Sequence, residues 1–259
     1  MSLPHFFLKD QVVSQEEASE FELRMAPDDL KHAKVLRLAA GERIAVVDAA
    51  SDYFECEVAS FEAGVLCVRI SQHLEAPQRP KVVLVQGLAK GDKMDTIVRH
   101  ATEVGISGFV PLVCARSIVK LDAKKAKARK ERWEAIAKSA AMQSGRSSVP
   151  EISSPMTVVQ AAKAIAWATA VLVCWEEAPL GASFSNAINN TLQKFATSPE
   201  DACIAVVIGP EGGLESEEVD YLMAACENAY AVSLGPSILR TETAGIVAPA
   251  LALYELEAR

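Results

Sequence analysis

After residue 80 the chain repeats one pattern that constrains its fold more than any other feature. Five apolar runs, KVVLVQGL (81–88), GFVPLV (108–113), AVLVCW (170–175), ACIAVVIG (202–209) and AYAVSLG (229–235), alternate with longer mixed segments. Each run is short enough for a strand and too uniformly apolar to leave one face in water. Strands of this kind lie in a parallel sheet covered on both sides. The intervening DKMDTIVRHATEVG, ARKERWEAIAKSAAMQSG, the stretch after Thr157 and ESEEVDYLMAACENA space their apolar residues as amphipathic helices do. The pattern predicts an α/β domain that holds ligands near the carboxyl ends of its strands.

The sequence before this region reads differently. RIAVVD (43–48), DYFECEV (52–58) and VLCVRIS (65–71) are rich in β-formers and are separated by turn residues such as Gly41, Ser51 and Gly64. They predict a small, mostly antiparallel sheet or barrel. PDDLKHAKVLRL precedes them, with Pro27 near a helix start and Leu30, Lys34 and Arg37 at helical spacing, so one short helix interrupts the strands. APQRP (76–80), with two prolines in five residues, suits a linker. The expected organisation is one domain over 1–75 and a second over 80–259.

Composition narrows the function classes. Half of the 259 residues are apolar, enough for a sizeable core, yet no run reaches membrane-span length and MSLPHFFLKD lacks the features of a signal peptide. A cytoplasmic location is expected. Cys56, Cys67, Cys114, Cys174, Cys203 and Cys226 lie far apart, without a C-x-x-C pair or a histidine at metal-ligand spacing, so no metal site is expected. A net charge of −8 argues against indiscriminate binding to nucleic acid, which needs a surplus of Lys and Arg on the contacting face. KLDAKKAKARKER (120–132) sets seven basic residues against Asp122 and Glu131 and reads as a solvated helix surface.

The fourth apolar run ends in IGPEGGL (208–214). Glycines there permit close backbone approach, Pro210 delays the next helix, and Glu211 is the one charged side chain of the turn. Gly87-Leu-Ala-Lys-Gly91-Asp-Lys93 is not a phosphate loop, because only three residues separate its glycines and Met94 stands where Ser or Thr would bind magnesium. No strand precedes G-x-G-x-x-G, so the usual Rossmann turn is absent. A second glycine loop, SLGPSILRTETAG (233–245), follows the last strand. Two such loops could enclose a flat ligand through backbone groups. Alternatively, IGPEGGL is a turn without a ligand and Glu211 caps the helix after it.

GPEGGL, followed about twenty residues later by LGPSILRTETA, resembles the paired signature of the SPOUT methyltransferases, and specifically of the RsmE-like family that methylates N3 of a uridine in 16S ribosomal RNA. KGDKMDTIVRHATEVGI, RSIVK, RWEAIAKSAAMQSGRSSVPEI, PHFF and HAKVLR resemble further family segments in the family's order, so the likeness covers nearly the whole chain. It implies a PUA-like RNA-binding barrel joined to an α/β domain with a trefoil knot, a homodimer, and S-adenosylmethionine as cofactor. It places Trp175, Gly209, Glu211, Gly212, Leu234, Gly235, Ile238 and Leu239 around that cofactor, the glycines making room for it. His5, Arg37, Arg116, Gln143 and Arg146 fall at RNA-facing positions, and Arg240 is the candidate catalytic residue.

Arg240 suits the chemistry because uracil N3 carries a proton and is a weak nucleophile, so a cation beside the forming anion would stabilise it. Trp175 either lines the pocket or packs in the core. The chain departs from the family pattern at four positions: His5 and Ser237 replace arginines, and Ala115 and Met142 replace glutamates. These departures bear on the substrate more than on the reaction. A methyltransferase of the same fold acting on transfer RNA, and an inactive RNA-binding relative, are the alternatives.

Overall fold

The computed structural model describes residues 3–179 and 181–257. They form two compact units, one of residues up to Pro77 together with Ala141–Val149, the other of Gln78–Ala140 and the residues from Pro150 on. A single cut near residue 80 therefore leaves out one segment. Residues 141–149 join the first unit because Met142 packs against its apolar core.

In the first unit, β1 (His5–Phe7), β2 (Phe21–Glu22), β3 (Arg43–Val47), β4 (Tyr53–Glu62) and β5 (Val65–Leu74) form a sheet in the order β1-β3-β4-β5-β2. Only the β1–β3 pair is parallel. The β4–β5 hairpin turns at Ala63 and Gly64, both at positive φ, which matches the right-handed twist of the strands it joins. Alternate residues of β3, β4 and β5, among them Ile44, Val46, Phe54, Cys56, Val58, Leu66 and Val68, fill the core with Phe6. Helix α1 (Pro27–Val35) starts on a proline, with Asp28 and Asp29 in its positively polarised first turn. It stops short of Arg37, whose φ of 57° lies in the left-handed region, so Arg37 does not share the helical face of Leu30 and Lys34.

In the second unit, β6 (Lys81–Gly87), β7 (Gly108–Val113), β8 (Glu151–Ile152), β9 (Met156–Thr157), β10 (Ala170–Cys174), β11 (Cys203–Ile208) and β12 (Ala229–Val232) make one parallel sheet. Its order is β12-β10-β11-β6-β7, with β8 and β9 both on β7. The helices are α2 (Lys93–Val104), α3 (Ala123–Gln143), α4 (Val158–Ile165), α5 (Phe184–Phe195), α6 (Ser216–Ala225) and α7 (Thr241–Glu257). One face of the sheet, with Val85, Leu112, Val173 and Val207, packs on Ala161, Ala162 and Ile165 of α4 and on Val219 and Leu222 of α6. On β6 and β11 lies α7, which also touches α2 and α5. Burial on both faces explains why these strands carry almost no polar residue.

From β6 the chain leaves toward β7, and it later returns from β10 to place β11 on the other side of β6. The carboxyl ends of β6 and β11 thus flank a topological switch point, where open α/β sheets leave a crevice. No helix among the described residues is long and apolar enough to cross a membrane.

Candidate functional site

A cavity of about 580 Å³ opens at the carboxyl ends of β10, β11 and β12. Its walls come from three segments that the sheet order brings together: Cys174–Glu176 at the end of β10, Ile208–Leu214 at the end of β11, and Ser233–Glu242 from the loop after β12 into the first turn of α7, with Ala244 and Lys93 completing it. The size is that of a small-molecule site.

The loop ends are fastened by one buried hydroxyl. Thr241 Oγ1 donates to the Gly209 carbonyl at 2.6 Å and accepts from Gln86 Nε2 at 2.9 Å. Gln86 is fully buried at the end of β6, and its Oε1 has no hydrogen-bond partner among the described residues. The start of α7, the end of β11 and the end of β6 are therefore held at one point. Close packing matches this. A Cβ on Gly87 would stand 2.3 Å from the Pro210 nitrogen, and one on Gly209 would stand 2.9 Å from both the Gly213 carbonyl carbon and the Leu214 nitrogen. A side chain on Gly209 would thus crowd its own loop, on the wall of the cavity. Beside Gly235, by contrast, a Cβ would meet nothing within 4 Å.

Charge is organised around Lys93. Its Nζ lies 3.2 Å from Glu211 Oε1 and 3.1 Å from Glu242 Oε2, the second contact being an ion pair without hydrogen-bond alignment. Glu211 Oε1 also accepts the Lys90 backbone N–H at 3.0 Å. The Glu242 and Glu211 carboxylates push the Lys93 ammonium above its ordinary range. Burial alone would raise Glu211, but the Lys90 N–H and Lys93 outweigh it and leave its carboxyl below the usual carboxylate range. Glu242 is likewise lowered, by its own backbone N–H against burial, then by Lys93 and Arg240. Glu211 does not cap α6; Glu215 does so in a reciprocal pair with Glu218. Burial pushes the Cys174 thiol up, which makes it a poor nucleophile.

The RNA methyltransferase domain model matches residues 76–253. A Bacillus subtilis (strain 168) protein, ribosomal RNA small subunit methyltransferase E, is 35% identical over 98% of this chain and 98% of its own. The chain belongs to this family of small-subunit ribosomal RNA methyltransferases. A relative of the same name from Mycobacterium tuberculosis (strain CDC 1551 / Oshkosh) is 33% identical over 83% of this chain and 79% of its own. Among solved structures, a crystal structure of an hypothetical protein matches at a TM-score of 0.82 and 32% identity, covering 98% of this chain and 99% of that one. The Neisseria gonorrhoeae ribosomal RNA small subunit methyltransferase E, bound to S-adenosyl methionine, matches at 0.73 and 24% identity over 96% of each chain, a likeness of fold.

In this family member, Trp175, Gly209, Glu211, Gly212, Leu234, Gly235, Ile238, Leu239 and Arg240 all line the one cavity. Trp175 lies at its strand end, half-buried, on the cavity wall, and also packs against the sheet core. Arg240 is exposed at the residue before α7, its carbonyl accepting the Ala244 N–H, and its guanidinium pairs with no carboxylate among the described residues. Arg116 is spent on the glycine loop: Nη1 donates to the Gly212 carbonyl at 3.0 Å, and a Cβ on Gly212 would touch the Arg116 stem.

The remaining predicted residues belong to the first unit. His5 is buried rather than RNA-facing; its Nδ1 lies 2.7 Å from the Leu3 carbonyl and its Nε2 2.8 Å from the Tyr53 hydroxyl. Arg37 is exposed beside Lys34 and Phe61 in a shallow hollow. Gln143, exposed, is the last residue of α3, and Arg146 sits half-buried in the loop after it. Sequence reasoning missed Lys93, Glu176, Ser233 and Thr241. Lys93 lay within KGDKMD, the motif weighed as a phosphate loop, and nothing local marked Thr241.

Proposed function

We propose that this chain transfers the methyl group of S-adenosylmethionine to N3 of one uridine in 16S ribosomal RNA of the small subunit. Family membership supplies the reaction class. The observation that carries the assignment is the cavity, where two glycine loops at the strand ends meet an arginine that has no carboxylate partner among the described residues.

The residues present fit the cofactor. Leu234, Ile238 and Leu239 offer apolar edges for a purine, the loop backbones offer N–H and C=O groups, and the carboxylates of Glu176 and Glu211 lie on the wall where a cationic ligand gains most. Bound there, S-adenosylmethionine supplies an electrophilic methyl on a positive sulfur. Arg240 acts on the acceptor, its planar fork holding a uracil carbonyl oxygen and stabilising the negative charge that spreads from N3 as the proton leaves. Glu242 is a poor acceptor for that proton, since its own backbone N–H and then Lys93 hold its carboxyl below the usual carboxylate range, and the proton passes to water.

The same reading assigns the second unit a trefoil knot of the SPOUT type and the first a PUA-like RNA-binding role, with Arg37, Gln143 and Arg146 toward RNA. The contact of Gly87 with Gly209–Pro210 and the Gln86–Thr241–Gly209 hydrogen bonds support a threaded C-terminal segment. A homodimer through α7 is supported by the exposed Leu251 and Tyr254 on a helix apolar almost all round. A ribosomal substrate implies the cytoplasm.

Nucleoside mass spectrometry of small-subunit RNA from a strain lacking this chain should show loss of one N3-methyluridine; an unchanged profile removes the proposed acceptor. Arg240→Ala should slow single-turnover methyl transfer at saturating RNA and cofactor by about a hundredfold, with cofactor affinity nearly unchanged. A rate near wild type removes Arg240 from the chemistry. Sedimentation should give a dimer at micromolar concentration, and a monomer would count against the α7 interface.

A further inference from the structure

Three carboxylates, of Glu176, Glu211 and Glu242, share this cavity with two cations, Lys93 and Arg240. Glu242 lies two residues from Arg240, and both line the same wall. A long arginine side chain beside a half-buried carboxylate ordinarily closes on it, because attraction rises as water is excluded. Here it does not. Lys93, reaching from the first turn of α2, holds Glu242 at 3.1 Å and Glu211 at 3.2 Å, while Arg240 has no carboxylate partner among the described residues. Glu211 is anchored in turn by the Lys90 N–H, so the ammonium is held between two fixed points.

We propose that Lys93 is a positioning residue for methyl transfer: by occupying Glu242 it keeps the Arg240 guanidinium open to the RNA base. The inference rests on the catalytic reading of Arg240 given above. It also accounts for a carboxylate kept beside a catalytic cation. With Lys93 in place, Glu242 joins α7 to α2 across the cavity; without Lys93, the same carboxylate would turn on Arg240 and compete with substrate. The Coulombic pull of Arg240 on Glu242 is already present in the resting arrangement.

The test is a set of variants assayed by single-turnover methyl transfer to small ribosomal subunits at saturating cofactor, with folding checked by thermal unfolding. Lys93→Met should slow transfer about tenfold or more. Lys93→Arg, which can bridge both carboxylates, should keep most of the rate. The double variant Lys93→Met/Glu242→Gln should recover most of what Lys93→Met loses, because the freed side chain no longer carries charge. In an Arg240→Ala background, Lys93→Met should add little further loss. A normal rate for Lys93→Met overturns the proposal, and so does a slow double variant, which would mean that Lys93 acts through the cofactor or the fold. Failure of the Arg240 reading is separate, since it appears as a normal rate for Arg240→Ala alone.

Discussion

Replacing Thr241 by valine keeps the shape of the side chain and removes only the hydroxyl. That hydroxyl makes two hydrogen bonds, to the Gly209 carbonyl at 2.6 Å and from Gln86 Nε2 at 2.9 Å, in a position 6% exposed. With no cavity created, the loss is that of the two bonds plus the cost of stranding their partners. Each bond is worth ~1 kcal/mol net, and a stranded buried group costs ~1–3 kcal/mol. Gly209 is half-buried and its carbonyl can recover water, while Gln86 Nε2 keeps only a longer contact, 3.2 Å, to the Gly87 carbonyl. The expected destabilisation is about 2–3 kcal/mol. Gln86→Met should behave differently. It removes the donor together with the Oε1 that already lacks a partner, and it leaves the Thr241 hydroxyl still donating to Gly209. It should cost less than ~1 kcal/mol, and Thr241→Val in that background should cost only ~1 kcal/mol more. All three tryptophans lie in the second unit, so urea unfolding followed by their fluorescence reads the right element. Equal costs for the two single substitutions, or strict additivity in the double, would refute the idea that Thr241 fastens the loop.

Backbone crowding gives a second prediction: Gly87→Ala and Gly209→Val should each lower thermal stability and cofactor affinity together, since the intruding Cβ meets backbone of the glycine loop at 2.3 and 2.9 Å. Calorimetry showing weakened binding without any loss of stability would return Gly209 to direct ligand contact. A third concerns acidity. Backbone N–H groups and Lys93 hold Glu211 and Glu242 below the usual carboxylate range in the folded chain, so their contribution is complete above that range and is lost as pH falls through the folded values. The stability gap between wild type and Lys93→Met should accordingly shrink on acidification below pH 4.5, as measured by urea unfolding at a series of pH values; a gap independent of pH would remove the ion pairs from the stability of the site.

The strands of the parallel sheet were legible because burial on both faces demands apolar residues at every position, a signal that needs no knowledge of partners. β7 matches the apolar run GFVPLV residue for residue. The glycine loops were legible for a related reason, since few other residues end so apolar a strand. What the sequence withheld is contact between distant segments. Gln86 and Thr241 are 155 residues apart, and neither a buried amide in a strand nor a threonine in RTETAG announces the other. Tyr53 takes the ring of His5 from 48 residues away, which turns an expected RNA-facing residue into a core one. Helix α5, FSNAINNTLQKF, escaped notice because its three asparagines weaken helix propensity, although Ser183 caps it properly. Residues 141–149 continue a helix of the second unit in sequence yet pack on the first, and only tertiary contact decides that.

The balance of charge in the cavity connects these findings to the reaction. Glu176, Glu211 and Glu242 face Lys93 and Arg240 across one small volume, and Lys93 is already shared between two of the acids. A wall with this surplus of carboxylate interacts more favourably with a positive sulfur than with a neutral thioether. The same surplus would repel a nucleic acid, and the chain as a whole carries −8. On the reading proposed above, RNA approaches a wall of mixed charge, which places the demand on cations that no neighbouring acid has claimed. Arg116 is engaged with the loop carbonyls and Lys93 with two acids, so among the described residues Arg240 is the cation of the cavity wall without a carboxylate partner, and the proposed contact with the base falls to it.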